Sequence, residues 1–155
     1  MKVLQLIIAI LIAQCAGLIG SLFTTPAIPT WYAQLVKPVF TPPGWLFGPV
    51  WLSLYSLMGI ASFWIWRRRG RHPLAGKALV VYGVHLAFNA LWSVLFFGLK
   101  NPGLAFVEIV LLWGMIGVTG ILFFQVDRRA AYLLVPYWLW VSYAAVLNFS
   151  IWQLN

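Results

Sequence analysis

Charged residues interrupt this chain so rarely that the stretches between them define its architecture. Runs free of Lys, Arg, Asp and Glu cover 3–36, 38–66, 78–99, 109–126 and 130–155. A membrane-spanning helix needs roughly 20 mainly apolar residues to cross the hydrocarbon layer at ~1.5 Å per residue. Each of the five runs can hold one such helix. The alternating pattern of an outer-membrane strand, about ten residues long, does not occur. Backbone polar groups in lipid must be satisfied within their own segment, which selects helices. The pattern therefore predicts an all-α fold: an integral membrane bundle of five transmembrane helices in one domain. The spans are expected near 3–23, 43–66, 77–98, 102–126 and 129–152.

The first run resembles a signal segment, with Lys2, an apolar stretch and Cys15. It continues to Phe23, however, and Gln14 stands where a lipoprotein signal wants a small residue, so it is read as a retained span. A single cysteine inside a span offers neither a disulfide nor a metal pair and reads as a packing residue. Between the first two spans, 24–42 holds Pro26, Pro29, Pro38 and Pro42 together with Trp31, Tyr32 and Phe40. Proline breaks helices and removes a donor, so this segment is expected as a loop. Its apolar content favours a lid folded over the outer mouth of the bundle, the other reading being an anchor in the headgroups.

Composition agrees with the pattern: 63% of residues are hydrophobic and 8% charged. The net charge of +8 points away from nucleic acid once its distribution is followed. Lys2, Arg67, Arg68, Arg69, Arg71, Lys77, Arg128 and Arg129 fall on one side of a five-span bundle, and only Lys37 and Lys100 on the other. The positive-inside rule puts the N-terminus in the cytoplasm and the C-terminus outside. The partners expected from this are the bilayer itself and, for the basic cluster, anionic headgroups.

Small residues recur at helical spacing: Ala9, Ala13, Gly17 and Ser21 on the first span, Gly83, Ala87 and Ala90 on the third, Gly114, Gly117 and Gly120 on the fourth. Such faces let helices approach closely. They read chiefly as packing within the chain, with one face left for a partner.

Depth counting brings a layer together. Trp51 lies about 12 Å inside the outer end of the second span, Asn89 about 13 Å inside the third, Ala144 about 12 Å and Trp140 about 18 Å inside the fifth. His85, Asn89 and Ser93 share one helix face. Polar groups there act either as interhelical hydrogen bonds or as orienting donors in an apolar pocket. Of the ten tryptophans, Trp31, Trp45, Trp64, Trp66 and Trp152 sit near span ends, where indoles belong to the interface. Trp51, Trp92, Trp113, Trp138 and Trp140 are deeper. Trp140, Ala144 and Leu147 share a face whose large ring beside a small residue has the shape of a slot for a planar guest. Glu108 is a carboxylate within a span, either functional or paired with Lys100 or His85. No nucleophilic triad, paired carboxylates, phosphate loop or two-histidine metal spacing appears. His85 alone reads as a core residue or as an axial haem ligand.

The segment 31–55, WYAQLVKPVFTPPGWLFGPVWLSLY, resembles the tryptophan-rich sensory protein family, the bacterial relatives of the mitochondrial translocator protein. Lys37-Pro38, Pro42-Pro43, Trp45 and Gly48-Pro49-Val50-Trp51 carry the resemblance, with HLAFNALWSVLFF and LVPYWLWVSYAAVLN further on. It implies a five-helix bundle, generally a homodimer, with a pocket beneath the first loop that takes porphyrins, haem or synthetic benzodiazepine-site compounds. By motif position it implies a ligand site of Trp31, Tyr32, Pro42, Phe47, Trp51, Asn89, Trp92, Ser93, Trp140, Ala144 and Leu147. His85 stands where relatives often have Gln. No basic residue follows Tyr143, so the sterol motif of animal members is missing. The expected function is a receptor or carrier for porphyrin or haem as ligand, with no cofactor required. The rival is an enzyme promoting light- or oxygen-dependent porphyrin degradation, with Trp51 and Trp140 as redox participants.

Overall fold

A computed structural model describes residues 2–155 and is helical apart from the connections, with no strand among the described residues. Helix α1 covers Lys2–Ala27 and runs on through a π-turn at Ile28–Tyr32. Helix α2 is Gly44–Trp66 and α3 is Ala75–Ser93, extended by a second π-turn at Val94–Gly98. Helices α4, Pro102–Val126, and α5, Arg128–Leu154, complete the chain. All five elements are long and apolar enough to cross a membrane.

The helices close a ring. α1 packs on α2, α2 on α5, α5 on α4, α4 on α3, and α3 returns to α1. The centre is filled by Met58, Ile65, Leu112, Ile116, Phe123, Tyr137 and Val141, all essentially inaccessible. Ala9, Ala13, Ala16 and Gly20 form the buried stripe of α1. A Cβ on Gly59 would come within 2.5 Å of the Ile10 backbone, so α1 and α2 touch main chain to main chain. The other small-residue faces behave differently. Gly83 and Ala87 point outward from α3, and Gly114 is exposed on α4.

The chief departure from expectation lies in 24–42. Pro26 and Pro29 do not end α1, and helical structure persists to Gln34. A proline within a spanning helix is tolerated when side chains and π-turns satisfy the freed carbonyls. Here Pro26 and Pro29 leave Leu22 O and Thr25 O without their usual donors, and the π-turn at Ile28–Tyr32 shifts the bonding register past them. Nearby, the Thr24 hydroxyl donates to Gly20 O at 3.0 Å and that of Thr30 to Pro26 O at 2.8 Å. The true strap is therefore short, 35–43. It is tied down at both ends. Val36 N–H donates to Asn155 Oδ1 at 3.0 Å, Asn155 Nδ2 donates to Val36 O at 2.9 Å, and Tyr143 Oη donates to Phe40 O at 2.5 Å.

On the opposite side, Asp127 organises the basic turns. Its carboxylate meets Arg68 and Arg129 at 3.3 Å each and caps α5 by accepting from Arg129 N. Burial alone would raise its pKa; hydrogen bonds from Arg129 and Arg68 and the Arg129 charge outweigh this and hold it below the ordinary aspartate value.

Candidate functional site

Within the ring, on the strap's side of the bundle, the packing is incomplete, and Tyr32 and Gly44, which flank the strap, line the gap while no residue of 35–43 does. The gap is a cavity of about 350 Å³ walled by α1, α2, α3 and α5, with Ile109 and Leu112 of α4 behind. The prolines and π-turns set its upper rim. Tyr32 ends the π-turn of α1, while Phe96 and Phe97 lie in that of α3. Both π-turns therefore present aromatic rings to the cavity mouth.

The walls are mostly rings. Trp51 stacks on Tyr55 with centroids 5.4 Å apart and meets Tyr137 edge-on at 6.2 Å. Trp92 stacks on Phe96 at 5.0 Å. Phe47 meets Trp140 edge-on at 6.2 Å, and Trp140 leans on Tyr143 at 5.6 Å. Tyr143 in turn holds the strap, so the strap and the Trp140 wall are one mechanical unit.

Polar groups are few and placed. Asn89 accepts from the Tyr55 hydroxyl and donates through Nδ2 to Tyr137 Oη at 2.9 Å. The Trp92 indole N–H donates to Asn148 Oδ1 at 2.9 Å, and Asn148 Nδ2 donates to Pro102 O at 2.7 Å. An indole buried this way needs a partner for its N–H, and Asn148 supplies it. Gln14 Nε2 donates to Leu52 O at 3.0 Å and to Ser56 Oγ at 3.1 Å, closing the lower end of the gap between α1 and α2.

Of the residues singled out from sequence, Tyr32, Phe47, Trp51, Asn89, Trp92, Ser93, Trp140, Ala144 and Leu147 line this one cavity. Trp31 and Pro42 do not. The Trp31 ring instead packs edge-on against Phe96 at 5.6 Å and Phe97 at 6.5 Å, backing the wall from outside. Lys37 does not extend a free ammonium over the mouth. Its Nζ donates to Leu35 O at 2.9 Å and lies 4.9 Å from the Tyr32 ring centroid.

Three further residues take definite places. His85 is fully buried and outside the cavity lining, enclosed by the Tyr82 and Tyr137 rings at 5.1 and 5.7 Å, which is the core position of its two readings. Glu108 pairs with neither Lys100 nor His85; both its oxygens are buried without a protein partner. Trp113 is not in the core but 42% exposed on the outer face of α4, its N–H donated to Ser142 Oγ at 2.8 Å.

Sequence reasoning missed the α1 wall. Gln14, Gly17, Gly20, Ser21, Thr24 and Ile28 all line the cavity. The glycine signal was present but read as packing alone. A Cβ on Gly17 would run into the Tyr55 ring, and one on Gly20 would stand 2.9 Å from Ser93 Oγ. These glycines make room for cavity-wall side chains.

A sequence profile of the TspO/MBR family matches residues 9–153. The chain is 41% identical to the tryptophan-rich protein TspO of Archaeoglobus fulgidus over 155 residues, covering 100% of this chain and 99% of that one. It is 38% identical to the bovine translocator protein over 148 residues, 94% of this chain and 86% of the other. With the tryptophan-rich sensory protein of Cereibacter sphaeroides it shares 40% identity over 125 residues, 81% and 77% of the two chains.

Proposed function

Because this chain belongs to the TspO/MBR family of multi-pass membrane proteins, we propose that it is a membrane receptor or carrier for porphyrins, protoporphyrin IX or haem, with a sensory or transport role. The names of its relatives, sensory protein and translocator protein, support the coarser part of this reading. The observation that supports the finer part is the cavity itself. Indole and phenyl faces of Trp51, Trp92, Phe47 and Trp140 surround a space with few polar groups. Ligand sites combine such apolar walls with a small number of placed donors. A planar conjugated ring can stack on these faces, while Asn89, Ser93 and Thr24 offer hydrogen bonds at its edge. Lateral openness between α1 and α2 lets a macrocycle larger than the enclosed space extend toward lipid. We place the N-terminus in the cytoplasm and the strap outside, on the arginine distribution. A homodimer belongs to the same proposal. Gly83 and Ala87 face outward on α3, and a Cβ at Gly83 would meet nothing within 4 Å, so a second helix can approach closely there.

The test is a titration of purified protein with protoporphyrin IX, in darkness, following tryptophan emission. Saturable quenching at micromolar ligand is expected, weakened several-fold by Trp140→Ala. Absence of quenching removes the ligand reading altogether.

One feature favours a second reading. The Trp51–Tyr55 stack, continued by the Tyr55–Asn89–Tyr137 hydrogen bonds, puts oxidisable rings against the ligand space. That arrangement suits light- and dioxygen-dependent breakdown of a bound porphyrin. Under illumination, loss of the porphyrin absorbance band that slows in Trp51→Phe supports it; a band that is stable under light and dioxygen eliminates it.

A further inference from the structure

A second concavity shares no lining residue with the cavity and lies on another face, on the outer surface between α4 and α5. It has a volume of about 560 Å³ and an almost wholly apolar lining. Its floor is made by Gly114, Gly117 and Gly120, and its α5 wall by Tyr132, Val135 and Trp138. Cβ atoms at Gly114 and Gly120 would meet nothing within 4 Å, so the missing side chains are what make the furrow deep. From Gly114 to Gln125 it runs about 16 Å along α4, close to the ~15 Å of one leaflet's hydrocarbon.

Its two ends differ. Toward the bilayer centre it stops at the Trp113–Trp138 pair, with ring centroids 5.0 Å apart and Trp138 Nε1 donating to Trp113 O at 3.2 Å. Toward the basic side it is bounded by Phe124 and Tyr132, whose rings meet edge to face at 6.2 Å, so a chain in the furrow leaves it over this pair and not between the rings. Beside that pair sits Arg128, its guanidinium 5.1 Å from the Phe124 centroid. Asp127 is the carboxylate of this turn, and it engages Arg68 and Arg129, not Arg128. Among the described residues Arg128 therefore has no anionic partner, and Gln125 beside it offers a further donor.

We propose that this furrow is a binding site for a single anionic phospholipid of the leaflet bordered by the arginines. One acyl chain lies over the glycines as far as the Trp113–Trp138 stop, and the phosphate meets Arg128 and Gln125. The matching depth, the closed inner end and the free cation at the outer end select a headgroup-bearing chain. A second helix fits the furrow less well, because the flanking rings of Trp138, Phe124 and Tyr132 hold a neighbouring backbone away from the glycines.

The experiment is native mass spectrometry of the intact chain in neutral detergent, titrated with dioleoyl phosphatidylglycerol or dioleoyl phosphatidylcholine. A first phosphatidylglycerol adduct is expected, tighter than the phosphatidylcholine one. Arg128→Gln lowers its affinity roughly fivefold, the share of one basic residue at an anionic surface. Gly120→Leu fills the furrow and abolishes the adduct; it replaces a poor helix former by a good one and leaves the thermal transition at least as high. Arg69→Gln, in the neighbouring turn, leaves the first adduct intact. Equal binding of the two lipids overturns the proposal, as does an adduct unaffected by both Arg128→Gln and Gly120→Leu. So does a Gly120→Leu protein that loses a dimer while keeping its lipid, which would assign the face to a second copy of the chain.

Discussion

Asn89 satisfies two buried phenols at once, accepting from Tyr55 and donating to Tyr137. Asn89→Leu keeps the branched shape and heavy-atom count and removes both bonds, leaving two hydroxyls in a dry core. An unmet buried polar group costs about 1–3 kcal/mol, so the variant should melt markedly lower in detergent, whereas Tyr55→Phe strands the Asn89 oxygen alone, one unmet group in place of two, and should lose less. Equal losses would show that Asn89 is not the hub of the set. The glycines divide as sharply. Gly59→Ala drives a methyl into the Ile10 backbone, which cannot yield, and is expected to destabilise strongly. Gly114→Ala meets nothing and should raise stability by up to about 1 kcal/mol through helix propensity. At this scale sequence reading succeeded where chemistry is one-sided. The stripe of His85, Asn89 and Ser93 faces inward because outward polar groups in lipid have no partner. It failed where a residue type fits two environments. Indoles serve core and lipid boundary alike, so nothing local distinguished the exposed Trp113 from the cavity-lining Trp92.

Helix limits show the same contrast between strong and weak signals. The fourth span was expected at 102–126 and is Pro102–Val126, because Pro102 opens it after an Asn101 cap and Asp127 closes it. The first ran past its expected end by more than two turns, because proline's rule for water-soluble helices is relaxed in a spanning helix, where a π-turn can shift the bonding register past the missing donors. Asp127 gives an element-level prediction. Its pKa is lower in the folded chain than in the unfolded one, so its ion pairs contribute fully above the ordinary aspartate value of about 3.9. That contribution disappears only as pH falls through the lower folded value. The melting temperature should therefore be flat from neutral pH to about pH 5 as far as this group is concerned and drop in stronger acid. Asp127→Asn keeps the cap, since asparagine caps as well as aspartate, and loses the charge, costing up to about 1 kcal/mol at neutral pH. In that variant the acid-induced drop should shrink; an unchanged drop would put its origin elsewhere.

At the scale of the whole bundle the question is how the proposed ligand would reach the cavity, and two routes compete. The strap is pinned by Tyr143 Oη on Phe40 O and by Asn155 on Val36. The side between α1 and α2 is looser. Leu18 and Leu52 both line the cavity and are 64% and 61% exposed, and Gly48 between them leaves open space. A hydrophobic guest dissolved in the bilayer meets that gap without crossing water. Sequence alone could not show it, since it depends on which helices the ring makes neighbours, and depth counting fixes height but not azimuth. If the gap is the route, Gly48→Leu should slow association and dissociation of membrane-delivered protoporphyrin IX by similar factors and leave the equilibrium constant nearly unchanged. Tyr143→Phe should then speed amide exchange at Thr41, whose N–H is held by Pro38 O at 3.0 Å, without altering either rate. Stopped-flow quenching from porphyrin-loaded vesicles measures both. Faster association in Tyr143→Phe, with Gly48→Leu behaving as the unaltered chain, would assign entry to the strap. The Trp140–Tyr143 contact would then couple ligand arrival to the wall it must stack upon.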